Sequence, residues 1–147
     1  MIWMTLEILI LLWIAAGDCR HYRIGKIPTA LLFFAGAMEH GICSWMVGGM
    51  ILCSLMPEAV NIAVSGMKGL GGGDIRLMGA AGWLLGMEDG LYAILLGCLF
   101  AVTAAIFGAM YEIVRDGMCG SFFQKRLAFG MYLSAGMIIL LLMNGLL

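Results

Sequence analysis

Charged residues are scarce in this chain, and their scarcity argues against a soluble domain. Only 12% of the 147 residues are Asp, Glu, Lys or Arg, while 63% are hydrophobic and the mean hydropathy is +1.05. A soluble domain of this size needs more polar side chains than these to cover its surface. The composition therefore predicts an integral membrane protein, in which the placement of charges matters more than the net charge of −1.

Metal-binding and disulfide patterns are also missing. The five cysteines occur singly, with no CxxC pair, and only His21 and His40 could add imidazole ligands. This spacing disfavours a zinc ribbon and a disulfide framework, so we interpret the cysteines as small hydrophobic residues packed between helices. Residues 1–17 lack the Lys or Arg that precedes the apolar core of a signal peptide, and we interpret them as a retained first helix.

Six apolar segments separated by polar residues predict an all-α polytopic membrane protein. The segments are 2–17, 27–38, 41–65, 75–87, 90–111 and 127–147. The second and fourth would extend only about 18 to 20 Å, against about 30 Å of hydrocarbon, so their ends must include loop residues or lie in a protected site. Fewer spans between residues 27 and 65 would instead put Asp18 and Asp74 on opposite faces of the membrane.

The placement of basic residues favours six spans. With that count, one face of the membrane carries every basic residue: Arg20, Arg23, Lys26, Lys68, Arg76, Arg115, Lys125 and Arg126. The loops on the other face carry no Lys or Arg, and contain Glu39, His40, Glu88 and Asp89. By the positive-inside rule the basic face is cytoplasmic, which predicts that the N-terminus and the C-terminus both lie outside.

Two aspartates lie at the cytoplasmic boundary in this topology. Asp18 ends the first apolar segment, and Asp74 follows Gly71, Gly72 and Gly73 at the start of the fourth. Two carboxyls within hydrogen-bond range share a proton, so one can activate water while the other donates to a carbonyl oxygen, as peptide hydrolysis requires. The helix dipoles favour Asp18 as the acid and Asp74 as the base. Glycines lack Cβ atoms, so we predict that this loop lets a substrate strand approach closely.

Each acidic residue also has a structural interpretation. Asp74 could cap a helix that follows a flexible loop, and Asp18 could pair with an arginine of the next loop. Their joint placement on one face favours the paired site over these two alternatives. Glu7 lies in the first apolar segment and Glu58 follows Pro57, which predicts a kink in the third helix. We interpret both glutamates as residues that make structural hydrogen bonds.

The pattern around these residues resembles a known family. Residues 71–78, with the sequence GGGDIRLM, resemble the GxGD motif of the type IV prepilin peptidases and their preflagellin-peptidase relatives. Asp18, followed by Ile27 and Pro28, resembles the first aspartate motif of that family. Residues 125–133 resemble the stretch that leads into the last helix in that family, so the likeness extends over nearly the whole chain.

The resemblance implies an intramembrane aspartic endopeptidase, a single transmembrane peptidase domain over residues 1–147. Such an enzyme removes the short basic leader of prepilin-like precursors at the cytoplasmic face of the inner membrane. Asp18 and Asp74 match the two catalytic aspartates of the family. The expected partners are the precursor and the lipid bilayer, with no cofactor, no metal and no nucleic acid, and the oligomeric state is left open. The chain has no room for the methyltransferase segment of larger members.

Two other interpretations remain open. A small proton-coupled transporter or an assembly scaffold could also hold two carboxyls at helix ends. No inverted repeat is evident between the two halves of the sequence, which disfavours the transporter. A GxGD protease that acts on substrates other than prepilins is closer to the first interpretation, and the residues do not separate the two.

Overall fold

Every element that the structure describes is an α-helix. The computed structural model describes residues 2–21, 24–41, 43–63, 71–116 and 128–146. Within these ranges the helices are α1 (Ile2–His21), α2 (Lys26–His40), α3 (Ser44–Ala63), α4 (Gly72–Asp116) and α5 (Phe129–Leu146). The all-α prediction is confirmed. The predicted loop residues Arg23, Lys68, Lys125 and Arg126 lie outside the described residues.

The long helix α4 is interrupted at Gly86. The backbone there has φ 84° and ψ −174°, a conformation that glycine adopts easily and other residues rarely do. A Cβ atom added at Gly90 would lie only 2.8 Å from the Cα of Gly82. Residues eight positions apart approach this closely only if the chain folds back between them. Helix α4 is therefore a hairpin of two helical halves, 72–85 and 87–116. The sequence predicted a break nearby, at Glu88 and Asp89.

Three helical stretches are long and apolar enough to cross a membrane. Among the described residues they are Ile2–Arg20, Ser44–Ile62 and Gly72–Arg115, the last of which contains the turn at Gly86. The apolar part of α5, Phe129–Gly145, is shorter. Helix α2 has 15 residues, about 22 Å at 1.5 Å per residue. These helices make the chain a membrane protein. The count of six spans and the sides on which the termini lie remain predictions.

Helix α4 occupies the middle of the bundle. It packs against α2, α3 and α5, while α1 packs against α2 and α5. The largest fully buried apolar side chains include Leu11, Leu77, Leu133 and Met137. Close packing in a membrane depends on small residues that let backbones approach. A Cβ atom added at Gly49 would lie 2.5 Å from the carbonyl oxygen of Gly82, so α3 and the first half of α4 are in backbone contact there.

The two glutamates interpreted as structural residues differ in burial. Glu7 is fully buried in α1, where its carboxyl lies beside that of Glu39 and reaches no backbone donor in the described part of the chain. Glu58 is exposed on α3, and that helix continues through Pro57. The structural hydrogen bonds assigned to both glutamates stay predictions.

Candidate active site

Asp18 joins the end of α1 to the start of α5. It lies in the last turn of α1 and is 5% exposed. Its Oδ2 accepts a hydrogen bond of 3.2 Å from the backbone N–H of Met131, which also donates to the carbonyl of Ala128. The N–H of Gly130 lies near the same carboxylate. The first N–H groups of a helix lack partners one turn before them. The Asp18 carboxylate supplies an acceptor for α5, across 113 positions of sequence.

Asp74 is held at the start of α4 by the glycine before it. Gly71 precedes the helix, and its carbonyl accepts hydrogen bonds from the N–H groups of Asp74 (2.9 Å) and Ile75 (3.3 Å). In return the N–H of Gly71 faces the Asp74 carboxylate. Because Gly71 has no side chain, this is only the half of a capping box in which an acidic side chain reaches back to the N-cap N–H. It fixes the half-buried carboxyl of Asp74 over the glycine loop.

Ile24 brings the two aspartates to the same place. A Cβ atom added at Gly73 would lie 3.0 Å from the Cβ of Ile24, and one added at Gly130 would lie 2.8 Å from its Cδ1. The side chain of Ile24 therefore packs between the start of α4 and the start of α5. Asp18 and Asp74 are close enough for a Coulombic interaction between their carboxyls. The structure thus brings together the two residues that the sequence paired, and their catalytic roles remain a prediction.

The helix dipoles do not separate an acid from a base in this arrangement. The sequence argument placed Asp18 only at the C-terminus of α1. Its carboxylate also lies at the N-terminus of α5, as that of Asp74 does at the N-terminus of α4. Both carboxyls therefore face the positive end of a helix dipole. The helix-dipole argument therefore does not support Asp18 as the acid and Asp74 as the base, because that argument considered only α1 and α4 and not α5.

The predicted glycine loop lies beside Asp74. Gly71 and Gly72 are exposed, and Gly73 is half-buried against Ile24. A Cβ atom added at Gly71 would lie 3.2 Å from Oδ2 of Asp74, whereas one added at Gly72 would meet nothing within 4 Å. Packing explains the glycines at positions 71 and 73 and leaves position 72 without a structural reason. The predicted contact of this loop with substrate remains a prediction.

Alternative partners for Asp18 are not found in the described part of the chain. Arg20 is exposed and makes no ion pair with Asp18 there, and Arg23 lies outside the described residues. The same part of the chain contains no group of three or more His, Cys, Asp or Glu side chains placed to hold a metal ion. What the two carboxyls can do chemically is to hold and transfer protons.

A cavity of about 280 Å³ opens between α1 and α2, next to Asp18 along the chain. Its wall combines apolar side chains, two glycines and one lysine: Trp13, Ile14, Gly17, Gly25, Lys26, Ile27 and Pro28. Thr29 holds the start of α2 by donating a 3.0 Å hydrogen bond to the carbonyl of Gly25. The cavity offers a largely apolar surface that could take a short stretch of peptide, and its lining includes Gly17, the residue before Asp18.

Sequence reasoning missed two residues of this site. Ile24 and Gly130 received no role, although both touch the neighbourhood of the aspartates. Gly130 lies in the stretch that resembles the last motif, which was the available signal. Ile24 lies in a loop whose sequence gives no hint that its side chain packs between the starts of α4 and α5.

Comparison with known proteins gives one match. The model of the type IV leader peptidase family matches residues 5–107, more than two thirds of the chain. The matched range contains both aspartates and the three glycines, while the stretch 125–133 lies beyond it. No curated protein and no solved structure matches the chain.

Proposed function

The chain belongs to the type IV leader peptidase family, and from that premise we propose that it is an intramembrane aspartic endopeptidase that removes the leader of prepilin-like precursors. Membership of the family makes it a protease of the leader-peptidase type. One observation carries the finer proposal: two carboxyls far apart in sequence, Asp18 and Asp74, lie close enough for a Coulombic interaction, at the starts of α5 and α4. Two neighbouring carboxyls are the arrangement that aspartic peptidases use.

In the proposed reaction the two carboxyls share one proton and bind a water molecule between them. The ionised carboxyl takes a proton from the water, whose oxygen attacks the carbon of the scissile carbonyl, while the other carboxyl protonates the carbonyl oxygen. The tetrahedral intermediate then breaks its C–N bond, and the departing nitrogen takes up a proton. The products are a carboxylic acid and an amine, and the pair again holds one proton.

Fixed side chains support such a reaction, because catalysis depends on holding groups near the geometry of attack. The N–H of Met131 at the start of α5 holds the carboxyl of Asp18, and the N–H of Gly71 before α4 holds that of Asp74. Both restraints use backbone atoms, which move less than long side chains. The pair therefore needs little rearrangement before a substrate binds.

Charge near the site supports a cytoplasmic active site. Three exposed basic residues, Arg20, Lys26 and Arg76, lie within a few positions of Asp18, Ile24 and Asp74 along the chain. By the positive-inside rule such residues favour the cytoplasmic side of the inner membrane. We assign the precursor to the same side, with its transmembrane helix in the bilayer and its leader at the cytoplasmic boundary. The scissile bond would then lie at the depth of the two carboxyls.

Cleavage of a panel of co-expressed prepilin-like precursors tests the proposal. We expect the wild type to cut at the leader boundary, and Asp18→Asn and Asp74→Asn each to lower the rate by about 10²- to 10⁴-fold, the usual contribution of a positioned acid or base. Glu88→Gln is the matched control, since it changes an exposed acid to its amide in the second half of α4. Mass spectrometry of the new N-terminus gives the cut site, and immunoblotting of membranes gives the amount of enzyme.

Different outcomes test the two-carboxyl mechanism and the prepilin substrate separately. Cleavage that survives either aspartate substitution would overturn the two-carboxyl mechanism. A wild type that cuts no precursor in the panel, while it accumulates in the membrane, would overturn the prepilin substrate. Loss of cleavage in Glu88→Gln as well would show that the amide changes act through folding.

A further inference from the structure

The cavity between α1 and α2 is lined in part by positions that have no side chain. Gly17, next to Asp18 in α1, and Gly25, just before α2, both belong to its lining. Packing explains Gly25, because a Cβ atom added there would lie 3.0 Å from Cδ of Pro28. A Cβ atom added at Gly17 would meet nothing within 4 Å. The space beside Gly17 is therefore open in the described part of the chain.

The cavity lies on the bilayer side of the Asp18 carboxyl. Trp13 and Ile14 of its lining precede Asp18 by five and four positions, which is about 7.5 and 6 Å along the helix axis. Helix α1 runs from Asp18 through these residues into the membrane. An extended peptide advances about 3.3 Å per residue. A precursor whose scissile bond lies at the depth of the carboxyls therefore reaches the cavity about two residues after that bond, on the side of its transmembrane helix.

The size and the surface of the cavity fit one large apolar side chain. Its volume is about 280 Å³, and an apolar cavity of about 150 Å³ is enough to hold a benzene ring. Ile14 and Pro28 contribute buried apolar side chains to the lining, while Trp13 and Ile27 are exposed. A preformed apolar cavity with few polar groups is the usual form of a ligand pocket.

Lys26 adds a charge to this apolar lining. It is the one charged residue among the described residues that line the cavity, and it is exposed in the first turn of α2. Its ammonium group repels a lysine or arginine of the substrate, and the positive end of the α2 dipole acts in the same direction. The lining therefore selects substrates by charge as well as by size.

We propose that this cavity is a specificity pocket for a large apolar side chain of the precursor, at one of the first two residues after the scissile bond. Gly17 leaves the space that this side chain fills, and Lys26 excludes basic side chains from the same position. The inference rests on the proposed function, because that function supplies the precursor. A long side chain at position 17 would occupy the pocket in place of the substrate.

Cleavage of one precursor, with each of the first two residues after the cut changed in turn to Ala or Phe, tests the role of Gly17. At one of these positions we expect kcat/KM to be at least about 10-fold higher for Phe, since even one methylene in an apolar pocket changes kcat/KM by about 10-fold or more. Gly17→Leu should bring this ratio close to one, and Gly17→Ala should give an intermediate ratio. Gly48→Leu should keep the ratio of the wild type. It is the matched control, at an exposed glycine of α3 whose added Cβ also meets nothing within 4 Å.

Charge reversal tests the role of Lys26. With Lys and Glu placed in turn at the selected position of the precursor, we expect the wild type to cut the Glu form faster. Lys26→Glu should reverse that preference. Arg76→Glu is the matched control, because it makes the same charge change at an exposed residue near Asp74 that does not line the cavity. It should shift the preference much less.

Photo-crosslinking detects precursor in the pocket without the need for cleavage. A benzophenone amino acid is placed at position 27, where Ile27 is exposed and lines the cavity, in an Asp74→Asn background. We expect crosslinks to the N-terminal end of the precursor's transmembrane helix. The control position is 102, because Val102 is exposed on α4 and does not line the cavity. It should give no crosslink to that part of the precursor.

The outcomes distinguish this pocket from the function on which it rests. If the wild type cuts the precursor with the same Phe-to-Ala ratio as Gly17→Leu, the pocket proposal is wrong and the peptidase proposal stands. A groove that holds only a lipid chain would give that result. Crosslinks of equal yield from positions 27 and 102 would also contradict the pocket. If instead the precursor is crosslinked through position 27 but never cut by the wild type, the pocket stands and the proposed reaction is wrong.

Discussion

The two ends of the bundle each hold a pair of carboxyls, in opposite surroundings. At one end Asp18 and Asp74 accept hydrogen bonds from backbone N–H groups at the starts of α5 and α4. At the other, the fully buried Glu7 lies beside Glu39 and accepts no hydrogen bond from a backbone N–H group in the described part of the chain. Helices both begin and end beside each pair, so the comparison teaches that a specific backbone donor, and not nearness to a helix end, determines whether a buried carboxyl can stay ionised. The first pair has donors that stabilise the negative charge needed to activate water, whereas two neighbouring buried carboxyls without such donors favour a shared proton.

The largest effect should come from crowding the donor side of the aspartate pair. A Cβ atom added at Gly130 would lie 2.8 Å from Cδ1 of Ile24 and 3.0 Å from Oδ2 of Asp18. We expect Gly130→Ala to displace one or both, and a displacement near 1 Å can lower activity by about 10²-fold. Cleavage of the best precursor measures this. Gly72→Ala, whose Cβ meets nothing within 4 Å, is the control and should retain most of the activity.

Full activity in Gly130→Ala would contradict this account of the site. It would mean that Asp18 does not need its present position at the start of α5. Equal loss in both glycine variants would point instead to a general requirement for glycine near the aspartates, for example in substrate binding.

A smaller effect should follow from changing the turn at the glutamate end. Gly86 has φ 84°, and a Cβ atom there would lie 3.1 Å from Nε1 of Trp45. We expect Gly86→Ala to lower the free energy of unfolding by about 1 to 3 kcal/mol, the usual cost of such backbone strain. Thermal unfolding in detergent measures it. Gly48→Ala on α3 adds a Cβ with nothing within 4 Å and should be neutral or slightly stabilising.

The Gly48 variant is the reference for this prediction. If Gly86→Ala is as stable as Gly48→Ala, the positive φ at position 86 carries no strain for a residue other than glycine.

The smallest expected effect is on the free energy of unfolding, which should change in different directions when an acid of each pair is replaced by its amide. Asp18→Asn should lower the free energy of unfolding by roughly 1 kcal/mol, because it weakens charge-assisted hydrogen bonds to α5. Glu7→Gln replaces one of two neighbouring buried carboxyls by a neutral amide, so it should leave stability unchanged or raise it. Midpoints measured side by side, with Glu88→Gln as reference, give the comparison. If both amide variants shift stability in the same direction, the two ends do not differ as described.

Much of the aspartate site could be predicted from sequence because its signals are local. The glycines before Asp74 lie next to it in the chain, and the placement of the basic residues put Asp18 on the same face. The hydrogen bond from Met131 to Asp18 joins residues 113 positions apart, and no pattern in either segment indicates it. Without that contact the acid and base could not be assigned correctly from the dipoles.

The surroundings of Glu7 also could not be predicted from the sequence. Composition placed Glu7 in an apolar helix, and the general rule that buried polar groups are hydrogen-bonded suggested a partner. Whether a donor reaches a buried carboxyl depends on which ends of other helices surround it. The turn at Gly86 sets part of that environment, and the sequence does not distinguish this glycine from the others among the 22 in the chain.

The hydrogen bond from α5 to Asp18 has a consequence for the order in which the protein is made. A ribosome releases Asp18 and Asp74 well before Gly130 and Met131. Until α5 emerges and docks, the first aspartate lacks the donors that position it. Under the proposed mechanism, a nascent chain cannot cleave precursors until α5 has emerged and docked against Asp18.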